Sequence, residues 1–331
     1  MVLSTFRYQW KVRRSDVNIK DTTGKENVVI LMGTFNGRRF IKQQIASLAD
    51  QSWPHIDILV SDDGSTDGTL PYLQTAAEAW NKGTFRLTFG PQKGFAENFR
   101  SLMSRIDGEA RYIAFCDQDD IWDRDKLDRA IAWLDAQDSD RPALFCGRTR
   151  LVDEEGNSIG LSPLFEKPAS FRNALVQSIA GGNTMVLNRA GAILVAEAAR
   201  RVSFISHDWW CYMLLSGAGG AVHYSPSPSI AYRQHGGNLV GANTGWKARL
   251  HRLLALMFTP RFSDWNRINL SALERVADLL TPDAISVLRD FEQARTLPLP
   301  ARFCALKRSG VYRQTATGQL GLWLACALRR L

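Results

Sequence analysis

RYIAFCDQDDIWDRDKL, residues 111–127, sets an apolar run directly against a cluster of acids. RYIAFC has the unbroken aromatic and β-branched content of a strand buried on both faces, and it runs straight into D-Q-D-D. Open α/β sheets bind ligands beyond the carboxyl ends of their strands, so carboxylates at this spot mark a candidate site. Crowded carboxylates repel one another, and a cation relieves that repulsion. Asp117, Asp119 and Asp120 therefore suggest a hard divalent ion, Mg2+ or Mn2+, held through oxygen. Taken alone, a D-x-D is equally a solvated loop in which Asp123 or Asp125 caps the helix DKLDRAIAWL.

The chain before this stretch supplies context. NVVILMGT (Asn27–Thr34) and IDILVS (Ile56–Ser61) read as buried central strands, TFRLTF (Thr84–Phe89) as a third strand, and amphipathic helices fall between them. That alternation predicts repeated strand–helix units around a mostly parallel sheet. Three polar loops, GTFN, SDDGSTDGT and CDQDD, then open on the same sheet edge and form one crevice. Thr34, Asn36, Asp63, Asp117 and Gln118 are the candidate ligand contacts there, and ordinary turn chemistry explains DDGSTDGT as well, with Asp67 as a cap. After Leu151 the pattern loosens into a turn at DEEGN, a strand in NTMVL, a helix over His207–Ser216, and a last strand pair near Ala221–His223 and Ser229–Arg233.

Composition bounds the class. With 331 residues, 45% of them hydrophobic, the chain can bury a sizeable core, so extensive disorder is excluded. Five scattered cysteines with no C-x-x-C argue against a disulfide framework or thiolate zinc site and for a cytoplasmic protein. A net charge of +8 implies an anionic partner, but no aromatic-basic module or zinc pattern points to nucleic acid. The organisation read here is a flexible leader over 1–26, a catalytic domain over 27–245 and a basic amphipathic helical tail over 246–331. The tail, in Trp246–Phe258 and Leu320–Leu331, has the composition of helices lying on an anionic membrane surface, or equally of helices packed on the catalytic domain.

VVILMGTFNG, ILVSDDGSTDGT, QKGFAENF and YIAFCDQDDIWDRDKL, in this order, resemble the family 2 glycosyltransferases over roughly residues 27–242. The resemblance implies a GT-A fold, a nucleotide-diphosphate sugar as donor and a D-x-D metal site. Under it Asp63 is similar to the family's nucleobase-binding Asp, Asp117 to the Asp near ribose and sugar, and Asp119 to the metal ligand. Gly33 stands where the family usually has Pro. Asp208 in SHDWW resembles the family's catalytic base, with His207 in place of the residue before it; as a lone residue Asp208 is equally a helix cap. AYRQHGGNLVG (Ala231–Gly241) is similar to rhamnosyltransferase-like members and leans the donor toward dTDP-rhamnose. In it His235 would complete the metal shell and Arg233 would pair with diphosphate.

Lys93, Gly94 and Asn98 form a loop entering a helix, suited to donor phosphate or sugar and equally to a plain helix start. Trp209 and Trp210 suit either a sugar platform or the core. The expected function is inverting sugar transfer to a hydroxyl of a glycan or polyprenyl-linked acceptor, with the enzyme cytoplasmic and peripheral on the membrane's inner face. A phosphatase with Asp-x-Asp after a strand, a GT-A-like nucleotidyltransferase and a noncatalytic carbohydrate-binding scaffold are the rival readings.

Overall fold

The computed structural model describes residues 27–236 and 261–331. The leader and the stretch Trp246–Phe258 lie outside the described residues. Seven strands build the main sheet: β1 (Val28–Thr34), β2 (Ile56–Asp62), β3 (Phe85–Phe89), β4 (Tyr112–Cys116), β6 (Ala143–Gly147), β9 (Val186–Asn188) and β10 (Ala221–Ser225). Their order is β10-β6-β9-β4-β1-β2-β3, and every neighbouring pair is parallel except those made by β9. A smaller sheet, ordered β5-β11-β7-β8, joins β5 (Ile121–Trp122), β7 (Arg150–Val152), β8 (Ser158–Leu161) and β11 (Ile230–Arg233). The DEEGN turn joins β7 to β8 as expected.

The two-residue period of the central strands divides the core. Leu31, Ile113 and Phe115 face one hydrophobic cluster, whereas Ile30, Met32, Tyr112 and Ala114 face the other. Helices α1 (Ile41–Ala49), α2 (Thr69–Ala79) and α4 (Lys126–Asp135) bring apolar side chains to the second cluster. The first is covered by α3 (Phe95–Ser104), α5 (Phe171–Ala174), α6 (Arg189–Arg201) and α7 (His207–Gly217). Each large apolar side chain so buried contributes about 1.5–3 kcal/mol.

The strands expected as a final pair do not pair with each other. β10 joins β6 in the main sheet, and β11 lies between β5 and β7 in the small one. Pro226 and Pro228 lie between them, where missing N–H donors interrupt a ladder. The C-terminal helices are α8 (Arg261–Arg275), α9 (Pro282–Thr296), α10 (Ala301–Ser309) and α11 (Ala316–Ala327). Leu273, Val276, Phe291, Leu306 and Leu322 on or beside them belong to the same cluster as Trp210 and Leu214 of α7. Among the described residues no helix is long and apolar enough to cross a membrane.

Candidate active site

β1 sits between β2 and β4, so the three polar loops emerge side by side. Their side chains stitch them together. Thr34 Oγ1 donates to Asp62 at 2.9 Å, the Asn36 backbone N–H donates to Ser65 Oγ at 2.8 Å, and Asn36 Oδ1 accepts from the Thr66 N–H at 2.9 Å. Gln118 accepts from the Phe35 N–H and donates to the Phe35 carbonyl, both at 2.9 Å. Asn98 is buried and donates to the Ser61 carbonyl at 2.8 Å, tying α3 to β2. Expected as donor contacts, Thr34, Asn36, Gln118 and Asn98 thus use polar atoms to hold the rim in shape.

Asp63, 7% exposed, accepts the backbone N–H of Gln92 at 2.6 Å and of Gly94 at 2.8 Å. Gly94 turns its N–H there with φ at 87°, a conformation that L side chains avoid. Lys93 between them is exposed on the rim.

The acids do converge. Burial first, and then the charges of Asp119 and Asp208, push the Asp117 carboxyl up to about 8. Burial and the charges of Asp119 and Asp117 drive Asp120 well above the usual carboxylate range, while the Asn183 amide at 2.6 Å and the Arg233 N–H at 3.2 Å favour its ionised form. Below them lies Lys126, fully buried, its ammonium 3.6 Å from the Trp122 ring and lowered to about 7 chiefly by burial. Nothing in a D-R-D-K-L surface pattern flags such a lysine; sequence reasoning missed it.

Asp119 Oδ2 and His235 Nε2 lie 2.8 Å apart. They provide an oxygen and a nitrogen donor beside mutually repelling carboxyls, which fits a divalent ion. Among the described residues no third ligating side chain joins them.

Arg233 corrects an expectation. It is 1% exposed, donates to the carbonyls of Asp119 and Glu154 and to Gln43 Oε1, and its guanidinium lies over the Phe40 ring at 4.8 Å. Such a fully engaged, buried guanidinium holds the acid loop from beneath; it is not placed to pair with diphosphate.

Ser206 occupies the N-cap position of α7, so Asp208 is the second helical residue and not the cap. One of its oxygens accepts the Trp209 N–H at 2.7 Å, and its charge reaches Asp117. His207 lies stacked on Phe99 with ring centres 3.7 Å apart and edge-on to Phe115. Burial brings its imidazole down to about 4. A Cβ at Gly182 would stand 1.9 Å from its Nε2, so the small residue at 182 is what admits the ring. Trp209 donates to the Ala174 carbonyl and Trp210 stacks on Phe204, both buried, which makes the pair core and not a sugar platform.

The sequence profile described as Glycosyl transferase family 2 matches residues 29–199. The dTDP-rhamnosyl transferase RfbG of Shigella flexneri is 31% identical over 239 residues, covering 67% of this chain and 78% of that protein. Among solved structures, S. aureus TarS in complex with UDP-GlcNAc aligns at a TM-score of 0.51 and 15% identity, covering 86% of this chain and 80% of that one. GalNAc-T7 with UDP, GalNAc and Mn2+ also gives 0.51, at 9% identity, covering 87% of this chain and 55% of that one. Likeness at such identity shows the fold alone.

Proposed function

The chain belongs to glycosyl transferase family 2 and has the GT-A fold, and from that premise we propose that it is an inverting, metal-dependent transferase with Asp208 as its base. The phosphatase and nucleotidyltransferase readings give way to that membership. The observation that supports the proposal is the nearness of Asp208 to Asp117, whose carboxyl its charge helps to raise.

Asp208 takes the proton of the acceptor hydroxyl as its oxygen attacks the anomeric carbon, and the nucleoside diphosphate leaves from the opposite face with the bonding electrons. Asp63 and Asp117 orient the nucleoside, and exposed Lys93 and Gly94 border the donor. Asp119 and His235 would hold a divalent ion, which when bound supplies positive charge against the departing diphosphate. The likeness to RfbG favours dTDP-rhamnose as donor, and a glycan or polyprenyl-linked glycan as acceptor completes the reading.

Replacing Asp208 by Asn should lower turnover by about 10²- to 10⁴-fold while donor affinity, read by thermal shift, stays unchanged. Full turnover in that variant would remove the base assignment.

A cytoplasmic position on an anionic membrane face is part of the proposal. Leu320, Leu324 and Leu328 project at four-residue spacing from the last helical segment into solvent, beside Arg329 and Arg330. Flotation of the full chain with phosphatidylglycerol liposomes should fail when the three leucines are replaced by Ser, and equal flotation would defeat this reading.

A further inference from the structure

A cavity of about 490 Å3 opens between α3, the end of α6 and α8. Arg100, Arg200, Arg201, Arg267 and Arg275 all line it. Cations gathered this closely repel one another unless anions offset them. Part of the offset is internal: Glu97 pairs with Arg100 at 2.8 Å, Asp278 and Glu197 with Arg201 at 2.5 and 3.4 Å, and Asp264 with Arg267 at 3.3 Å. Arg200 and Arg275 differ. Arg200 donates to the carbonyls of Ser104 and Ile106 at 2.9 and 2.6 Å, and Arg275 to that of Arg201 at 3.4 Å. Among the described residues neither has a carboxylate partner. Carbonyl dipoles fix a guanidinium in place without cancelling its charge, so the cavity holds positioned, uncompensated positive charge.

Planar guanidinium forks match phosphate oxygens in pairs. The volume lies in the range of small-molecule sites, roughly 300–1,000 Å3, and so exceeds what a lone small anion fills. The cavity also touches the loop between α6 and α7. Ser203 lines it and hydrogen-bonds Glu97 in the first turn of α3, the helix that follows Gly94. From Ser203 the chain reaches Asp208 within five residues, a span of at most about 18 Å.

We propose that this arginine cavity binds the diphosphate of a phosphate-bearing acceptor; that the ligand is an acceptor rests on the transferase reading, whereas the anion site does not. A diphosphate could arrive on a polyprenyl lipid or on a soluble molecule, and the two sources are separable.

The test is calorimetric titration of the full chain, in chelator, with inorganic pyrophosphate and with farnesyl diphosphate. Both should bind, and both should weaken at least tenfold in R200Q/R275Q and in Ser271→Glu. Ser271 is exposed on α8 at the cavity wall, so Ser271→Glu adds a carboxylate there without disturbing the core, which covers the case that the double variant unfolds. Tenfold tighter binding of farnesyl diphosphate assigns a lipid-linked source, and equal binding a soluble one. No binding of either, or unchanged affinity in Ser271→Glu, overturns the proposal. Nucleotide-sugar binding with Mn2+ is measured alongside: its absence would count against the transferase reading and leave the anion site standing.

Discussion

The acidic rim and the arginine cavity share α3 and are built in opposite ways. The rim takes Asp117, Asp119 and Asp120 from four consecutive positions and spends its neighbouring polar side chains on one another, from Thr34 to Asp62 and from Gln118 to Phe35. The cavity gathers its cations from three helices, and two of those cations bind only backbone carbonyls. Adjacent like charges that are also buried disfavour one another's ionised form, so a tight hydrogen-bonded frame is what holds them in place. Charges assembled by packing keep more of their strength for a ligand, because the frame lies in the helices behind them.

The comparison breaks if perturbing one region moves the other. Asp119→Ala should reduce Mn2+-dependent turnover on the order of 10³-fold and leave pyrophosphate binding in chelator unchanged. Undiminished turnover of that variant in chelator would refute the metal role.

The rim should also carry a pH sensitivity that arginines lack. His207 accepts a proton near 6.5 when unfolded but only near 4 when folded. Unfolded chain therefore binds more protons between those values, so stability is complete above pH 6.5 and is lost as pH falls toward 4, approaching about 3 kcal/mol. Urea unfolding from pH 7 to pH 4 should show this loss in the native chain and a shallower one in His207→Phe. Equal slopes would mean that the ring is hydrated.

Arginines in the two regions should differ as well. Arg233→Met leaves buried carbonyls without donors and should cost about 2–3 kcal/mol in denaturant unfolding, whereas exposed Arg275→Gln should cost less than about 1. Similar costs would erase the distinction. Gly182→Ala should cost about 1–2 kcal/mol from the clash with the His207 ring, and that cost should vanish in a His207→Ala background.

What was legible in the sequence follows the same division. Val28–Thr34, Ile56–Asp62 and Tyr112–Cys116 are read as buried strands because apolar runs of that length have few alternatives. The acid cluster is readable because its members are adjacent. Asp208 and His235 are visible only through motif resemblance, since neither has a neighbour that marks it. Arg233 is misread because sequence does not tell a guanidinium buried under a loop from one facing solvent. Lys126 and the contact between Asp120 and Asn183 escape for the same reason. Helix α6 had a signal that went unread: Ala192, Val195, Ala196 and Ala199 fall at helical spacing behind an Asn188 cap. The cavity had none, because positions 100, 200, 201, 267 and 275 meet only after α3, α6 and α8 have docked.

The bond from Arg233 to Gln43 joins residues 190 positions apart. On the ribosome, β1 to β4 emerge long before β11, so a growing chain presents its acids while the guanidinium that belongs beneath them is still being synthesised. Closing so long a loop comes late, after the local units have formed. The acid loop thereby gains its support from beneath only once the segment carrying Arg233 has been synthesised and released.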